Sequence, residues 1–167
     1  MIFDLRRVGY GFLLLLLTAG AAQGQGWFRG RVGLQMKASS VEKSIAPGIH
    51  VDAQAQIAGR FALVAGAGLS AYVLEGRRSG TYTVDPALSL RIARPSRSRG
   101  ANILSGGVGY HFPFGDRALG RGPTVHLGIG RIWALRESTL FVDLRPTTVL
   151  RDGGVSVLMP IRAGVVF

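Results

Sequence analysis

The chain has 167 residues, no cysteine and a formal net charge of +11, and 18 of its 20 basic residues are arginine. This length suits a single domain, and the lack of cysteine excludes disulfides as a source of stability. A basic chain is typical of proteins that bind nucleic acid, anionic lipid or acidic polymers. Because no nucleic-acid-binding motif is present, we do not expect nucleic acid, and phosphate-bearing lipid suits the arginine forks better.

The first predicted element is an N-terminal export signal. A basic pair at residues 6–7 precedes an apolar stretch at 8–17, and small residues follow at 18–23. This order is typical of a secretory signal peptide. The apolar stretch is about half the roughly 20 residues that a transmembrane helix needs. We therefore predict a cleaved signal peptide over residues 1–22 and one domain over residues 23–167.

The remaining chain consists of short runs in which apolar and polar residues alternate. Such alternation is the pattern of half-buried β-strands, and many short strands in series indicate a sandwich or a barrel. The predicted strands are residues 27–37, 49–58, 61–74, 81–93, 101–114, 124–135, 139–150 and 155–167. The predicted fold is all-β, an antiparallel up-and-down transmembrane β-barrel of about eight strands.

The two faces of these strands decide between a soluble barrel and a membrane barrel. A soluble carrier turns its apolar face inward, whereas a membrane barrel turns it toward lipid. The polar face carries charged side chains of both signs, which suit a narrow interior. We interpret them as a charge network that fills the lumen: Arg29, Arg31, Lys37, Asp52, Asp85, Arg91, Asp143, Arg145 and Arg162. A soluble exported barrel that binds an apolar ligand remains an alternative.

Aromatic residues on the apolar face gather near the ends of the predicted strands. Rings at such positions form girdles at the two membrane interfaces. The predicted girdle comprises Phe28, Phe61, Tyr82, Tyr110, Phe112, Phe114, Trp133 and Phe167. The pattern therefore favours the transmembrane barrel.

Some residues do not fit the alternation. Arg131 falls on the apolar face, where it has to reach the membrane rim or be turned inward by a bulge. Pro86, Pro146 and Pro160 fall within strands, where proline removes a ladder hydrogen bond. If the last hairpin is centred on Gly153, Pro146 and Pro160 lie opposite each other, and we predict a local kink or bulge there.

The last predicted strand carries the most specific pattern of the chain. Its apolar positions include Ile161, Ala163 and Val165 and end on the aromatic Phe167. Together with the segment GGVGYHFPF at 106–114, it resembles the small eight-stranded outer-membrane β-barrel superfamily over the whole mature chain. Many members have an aromatic residue where this chain has Val165. The resemblance implies that the barrel-assembly machinery recognises these four residues of the last strand as an assembly signal.

The same resemblance implies a place and an orientation for the protein. It implies a monomer in the outer membrane of a Gram-negative cell, without cofactor, in contact with outer-membrane lipids and lipopolysaccharide phosphates. An even strand number puts both termini in the periplasm. The outer loops would then be 38–48, 75–80, 115–123 and 151–154, and the periplasmic turns 59–60, 94–100 and 136–138. Arg94, Arg97 and Arg99 make one of these turns strongly basic.

Three histidines are the remaining candidates for chemistry. His50, His111 and His126 fall on the polar face, where imidazoles could bind a transition metal or form a pH-sensitive plug. A lipid A deacylase or acyltransferase needs a serine beside a histidine and a carboxylate, and no His-x-Ser motif is present. We therefore predict no catalytic residue and a structural or surface-interaction role. A lipid A-modifying enzyme and a narrow anion-leaning pore are the alternatives.

Overall fold

The structure is a computed structural model that describes residues 28–40, 44–72, 81–96, 100–115, 120–151 and 153–167. The predicted signal peptide lies outside the described residues, as do the predicted loop at 75–80 and residues Arg97 and Arg99. Within these ranges, no helix has the length and apolar character that crossing a bilayer requires.

The described strands form one antiparallel sheet that closes on itself. They are β1 (Phe28–Ser39), β2 (Ile45–Ala58), β3 (Phe61–Tyr72), β4 (Thr81–Ser96), β5 (Gly100–Phe114), β6 (Gly122–Ala134), β7 (Thr139–Leu144), β8 (Thr147–Arg151) and β9 (Gly154–Val166). β1 pairs with both β2 and β9, which closes the barrel. β7 and β8 are two halves of one wall strand, because both pair with β6 and with β9. The fold is therefore a closed eight-stranded up-and-down barrel, and this confirms the predicted fold class.

Several strands are longer than their sequence patterns indicated. β2 begins at Ile45, because its pairing with β1 continues to Ala38. β4 and β5 likewise continue to the pair of Ser96 and Gly100. The predicted loop at 38–48 and the predicted turn at 94–100 are therefore shorter than expected. Residues at strand ends lack the alternation of the strand centres, so backbone pairing alone marks these extensions.

The break between β7 and β8 lies at Arg145 and Pro146. Proline has no N–H for the ladder, yet the register is the same on both sides of the break. The Arg145 N–H donates to the carbonyl oxygen of Pro160 at 3.0 Å. The expectation that Pro146 faces Pro160 was therefore wrong. The hairpin closes on the pair of Arg151 and Gly154, so the register differs by one residue from the predicted one. The ladder is interrupted at this point, but it contains no bulge.

Pro86 is accommodated inside β4 without a break. It pairs with Ala67 on β3. On the other side, the ladder with β5 runs through Val84 and resumes at Ala87 in the same register. The missing N–H of proline thus removes pairing toward one neighbour only, and the wall continues unchanged.

The barrel has its apolar face outside and its polar face inside. Outward residues such as Leu34 and Leu127 are 70% and 68% exposed. Among the described residues, 18 buried side chains are polar or charged, against eight that are hydrophobic. The described barrel therefore does not contain the apolar cavity that the soluble-carrier alternative requires. Its centre is instead a set of ion pairs and hydrogen bonds.

Candidate functional site: the charged interior

A network of ion pairs crosses the barrel interior. The Arg31 guanidinium donates to the Asp52 carboxylate and contacts Asp143 Oδ2 at 3.4 Å. The Arg162 Nε donates to the other oxygen of Asp143 at 2.6 Å. Arg91 approaches Asp52 at 3.9 Å. Two carboxylates thus bind three guanidinium groups, all of them buried.

The strand register brings these charges together. Arg31 lies directly opposite Asp52 across the ladder of β1 and β2, and Asp143 lies opposite Arg162 across β7 and β9. Opposite charges at directly facing positions on one face of a sheet stabilise the pairing of the strands. The network therefore links β1 with its two neighbours, β2 and β9, and with β7, which lies beyond β9.

A second cluster lies toward the end of the barrel at which β3 ends and β4 begins. Asp85 accepts hydrogen bonds from Lys37 and from His111 Nδ1, the latter at 2.5 Å. The Lys37 Nζ also donates to Thr83 Oγ1 at 2.8 Å and lies 5.9 Å from the centre of the Tyr72 ring. The Asp85 side chain is 24% exposed, so this cluster is closer to solvent than the first one.

Phe141 was not among the residues that the sequence pattern selected. Its ring is buried in the interior, 4.4 Å from the Arg31 guanidinium carbon and 5.4 Å from the His50 ring in an edge-on arrangement. A cation over an aromatic face is attracted by the ring quadrupole. The available signal was positional, since Phe141 precedes the inward-pointing Asp143 by two residues on the same strand.

The three histidines have separate surroundings. His50 packs on Phe141, His111 bonds to Asp85, and His126 Nε2 lies 2.9 Å from Ser89 Oγ. No group of three or more histidine, cysteine or acidic side chains within the described ranges is arranged to hold a metal ion. The histidines thus contribute to the packing of the interior at three different points.

The remaining predicted network residues differ in position. Arg29 is exposed at the start of β1. Arg145 is buried, and its Nε and Nη2 atoms have no hydrogen-bond partner among the described residues. Arg145 lines an interior cavity of about 50 Å³ together with His126 and Arg162. A single water needs about 10–15 Å³ of such space, so this cavity has room for a few water molecules.

Inward-facing glycines make room for the charged side chains. A Cβ added at Gly66 would overlap with Asp52 Oδ1 and lie 2.7 Å from the carbonyl oxygen of Val51. A Cβ at Gly68 would lie 2.7 Å from Gln35 Nε2. Interiors of eight-stranded barrels are just wide enough for side chains to fill, so glycine on one strand lets a long side chain cross from the next.

Replacing Gly66 with alanine is expected to lower the free energy of unfolding by about 1–3 kcal/mol, the usual cost of overpacking. The added methyl group would displace Asp52 from Arg31. Gly106→Ala is the matched control, because its nearest contact is the flexible end of outward-facing Leu127 at 3.3 Å. Urea unfolding of both refolded variants measures the difference, and equal losses would contradict the role of Gly66 in making room.

Aromatic side chains occupy both ends of the outer wall. One end holds Phe28, Phe61, Trp133 and Phe167, and the other holds Tyr82, Tyr110, Phe112 and Phe114. The rings of Tyr110 and Phe112 lie 4.4 Å apart between centroids. Tyr110 and Trp133 are half-buried, and the other six are exposed.

The predicted assembly-signal residues line the outer face of β9. Ile161, Ala163, Val165 and Phe167 are all exposed. Phe167 exchanges two backbone hydrogen bonds with Gly30, at 2.8 and 2.9 Å, and its ring lies over that glycine. These contacts complete the seam, the ladder that joins β1 to β9.

Comparisons with solved structures identify the architecture. Neisserial surface protein A (NspA) matches with a TM-score of 0.69 at 10% sequence identity, covering 83% of this chain and 95% of that one. This is the fold of the small eight-stranded outer-membrane β-barrels. This chain also matches Ail, the attachment invasion locus protein of Yersinia pestis. The TM-score is 0.53 at 9% identity, over 84% of this chain and 97% of Ail.

The N-terminal β-barrel domain of Pseudomonas aeruginosa OprF shares the same fold. It matches with a TM-score of 0.51 at 9% identity, over 83% of this chain and 97% of that domain. No family model matches the sequence, and no curated protein matches it either. The predicted resemblance to small outer-membrane barrels is thus confirmed at the level of the fold, and these identities carry no residue roles to this chain.

Proposed function

We propose that this protein is a bacterial outer-membrane β-barrel with a structural or surface-interaction role and a lumen filled by charged side chains. The observation that carries the proposal is the inverted distribution of residues, with the apolar face outside and the ion pairs inside. A closed barrel satisfies its backbone hydrogen bonds internally, and an outward apolar band flanked by aromatic rings suits a bilayer. Export through the predicted signal peptide and recognition of the β9 residues by the assembly machinery belong to the same proposal.

The packed interior supports a barrel that does not conduct. Ion pairs and hydrogen bonds span it, and the cavity beside Arg145 has a volume of only about 50 Å³. Among the described interior side chains the bases outnumber the acids, since Arg31, Lys37, Arg91, Arg145 and Arg162 face Asp52, Asp85 and Asp143. Any path that opened through this interior would therefore favour anions, as the alternative of a narrow anion-leaning pore requires.

The interior also supports a non-enzymatic role. Ser89 and His126 form a serine–histidine contact that the sequence did not reveal, because the two residues lie on β4 and β6. Both are buried inside the barrel. A nucleophilic serine needs a base that is oriented by a third group, and no carboxylate hydrogen bond to His126 is found among the described contacts. A lipid A substrate would approach from the opposite face of the wall.

The end of the barrel that carries the predicted outer loops supports a surface role. A cleft of about 600 Å³ there is lined by Arg121 and Arg151. Guanidinium groups bind phosphate oxygens through paired hydrogen bonds, and this suits the phosphates of lipopolysaccharide. NspA is named as a surface protein and Ail as an attachment invasion locus protein, and one structure of Ail is a complex with the heparin analogue sucrose octasulfate.

Gel mobility with and without boiling tests the proposal. We expect the protein to be found in the outer-membrane fraction, and we expect its unboiled and boiled forms to migrate differently, because a closed barrel resists detergent until it is heated. Recovery from the soluble periplasm without a mobility shift would contradict a membrane barrel. Ion conductance across a planar bilayer that contains the refolded barrel would instead favour the pore alternative.

A further inference from the structure

Polar residues form one cross-strand row on the mainly apolar outer wall. Arg94 on β4 pairs with Asn102 on β5, and Asn102 pairs with Arg131 on β6. All three positions belong to the outward face, since Ile92, Leu104 and Ile129 lie two residues away on the same strands. The row therefore places two guanidinium groups and one amide side by side on the wall.

The next row toward the middle of the wall is apolar. It comprises Ile92, Leu104, Ile129 and Leu144, which are neighbours across β4, β5, β6 and β7. Both rows line one external groove with a volume of about 830 Å³. The groove is thus amphipathic, with basic groups at one end and aliphatic groups at the other.

Arg60 extends the basic end of the groove. It lies in the turn between β2 and β3, and its carbonyl oxygen accepts a hydrogen bond from the Ala93 N–H at 3.0 Å. This contact holds the turn beside Arg94, and Arg60 lines the same groove. Trp133 is on the other side, where its ring lies 5.7 Å from the Arg131 guanidinium carbon. The groove is therefore built from five elements, the β2–β3 turn and strands β4, β5, β6 and β7.

We propose that this groove binds the phosphodiester headgroup of an anionic glycerophospholipid, with the acyl chains along the apolar row. Neighbouring strands are about 4.8 Å apart, so Arg94 and Arg131 are separated by roughly twice that spacing. Two long side chains at that separation can converge on one phosphate between them. Arginine forks match phosphate oxygens in paired hydrogen bonds, and the Asn102 amide supplies a further donor.

The position of the row selects the lipid. It lies near the end of the barrel that holds the Phe28 and Phe167 girdle, since β6 ends at Ala134 and β4 at Ser96. In the proposed orientation this end faces the periplasm, so the adjacent leaflet consists of glycerophospholipids. An arginine on the lipid face is costly at the bilayer midplane and tolerated near the interface, which agrees with this placement. The inference rests on the proposed membrane location.

Native mass spectrometry of the refolded barrel in detergent micelles tests the site. Phosphatidylglycerol and phosphatidylcholine with the same acyl chains are the probes. Both lipids carry a phosphodiester, but the quaternary ammonium of phosphatidylcholine is repelled by the groove arginines. We therefore expect the barrel to retain phosphatidylglycerol about tenfold more strongly. The Arg94→Gln/Arg131→Gln variant should retain both lipids equally.

The Arg29→Gln/Arg136→Gln variant is the matched control. It removes the same charge, from exposed residues that do not line the groove. This control should keep the lipid preference. An equal loss in the control, no preference in the unaltered barrel, or preferential capture of added lipopolysaccharide by the two groove arginines would overturn the assignment.

The heat-dependent mobility shift, recorded for every variant, separates the two proposals. A barrel that shifts on heating but shows no lipid preference overturns the headgroup site alone. A wild-type protein that shows no shift overturns the membrane barrel and the headgroup site together.

Discussion

Replacing Asp143 with asparagine is expected to lower the free energy of unfolding by about 3–5 kcal/mol, the usual cost of breaking a buried ion pair from one side. The Asp143 side chain is 4% exposed and binds both Arg31 and Arg162. The neutral amide would leave two buried guanidinium groups with less counter-charge. Urea unfolding of the barrel in lipid vesicles, followed by tryptophan fluorescence, measures the loss.

Two further variants make this result specific. Asp85→Asn should cost clearly less, because the Asp85 side chain is 24% exposed and Lys37 keeps its hydrogen bond to Thr83. Adding Arg162→Gln to Asp143→Asn should recover part of the loss, since removing both members of a buried pair leaves less uncompensated charge. If all three variants unfolded at the same urea concentration, the interior network would not be what stabilises the barrel.

Leu127→Arg is expected to make folding into vesicles less favourable by about 2–4 kcal/mol, the cost of an arginine at the bilayer midplane. Leu127 lies in the middle of β6, points outward and is 68% exposed. In a water-soluble barrel the same change would place a charge on an exposed position and cost little. Refolding yield into vesicles, read from the heat-dependent mobility shift, distinguishes the two environments.

Leu135→Arg provides the matched comparison. Leu135 is 54% exposed and follows the end of β6, at a depth where a charge costs about 0–1 kcal/mol. Near-normal insertion of Leu135→Arg beside failed insertion of Leu127→Arg is therefore the expected result. Equal tolerance of both substitutions would show that lipid does not surround the wall.

The alternation of residues was sufficient to predict the fold. It assigned each face of the strands correctly from short segments such as Leu140 to Leu144, because side-chain direction in a strand depends only on parity. It did not indicate how far each strand continues, since pairing at strand ends, as between Ala38 and Ile45, depends on the neighbouring strand.

Contacts between distant strands were the part that the sequence did not reveal. The serine–histidine contact of Ser89 and His126 and the row from Arg94 to Arg131 depend on the register of three strands at once. A shift of one residue in any of these ladders would move a side chain to the other face. Pro146 and Pro160 do not face each other because the turn is centred between residues 152 and 153 and not on Gly153, which moves the register by one residue.

The seam has a consequence for the order of events in biogenesis. Because β9 follows the other described strands in the chain and closes the wall by pairing with β1, a sheet of the strands before it has two unpaired edges. Open edges of this kind recruit other chains, and within hydrocarbon their unpaired N–H and C=O groups are costly. The backbone bonds of Phe167 to Gly30 thus belong to the contact that turns an aggregation-prone open sheet into a self-contained wall.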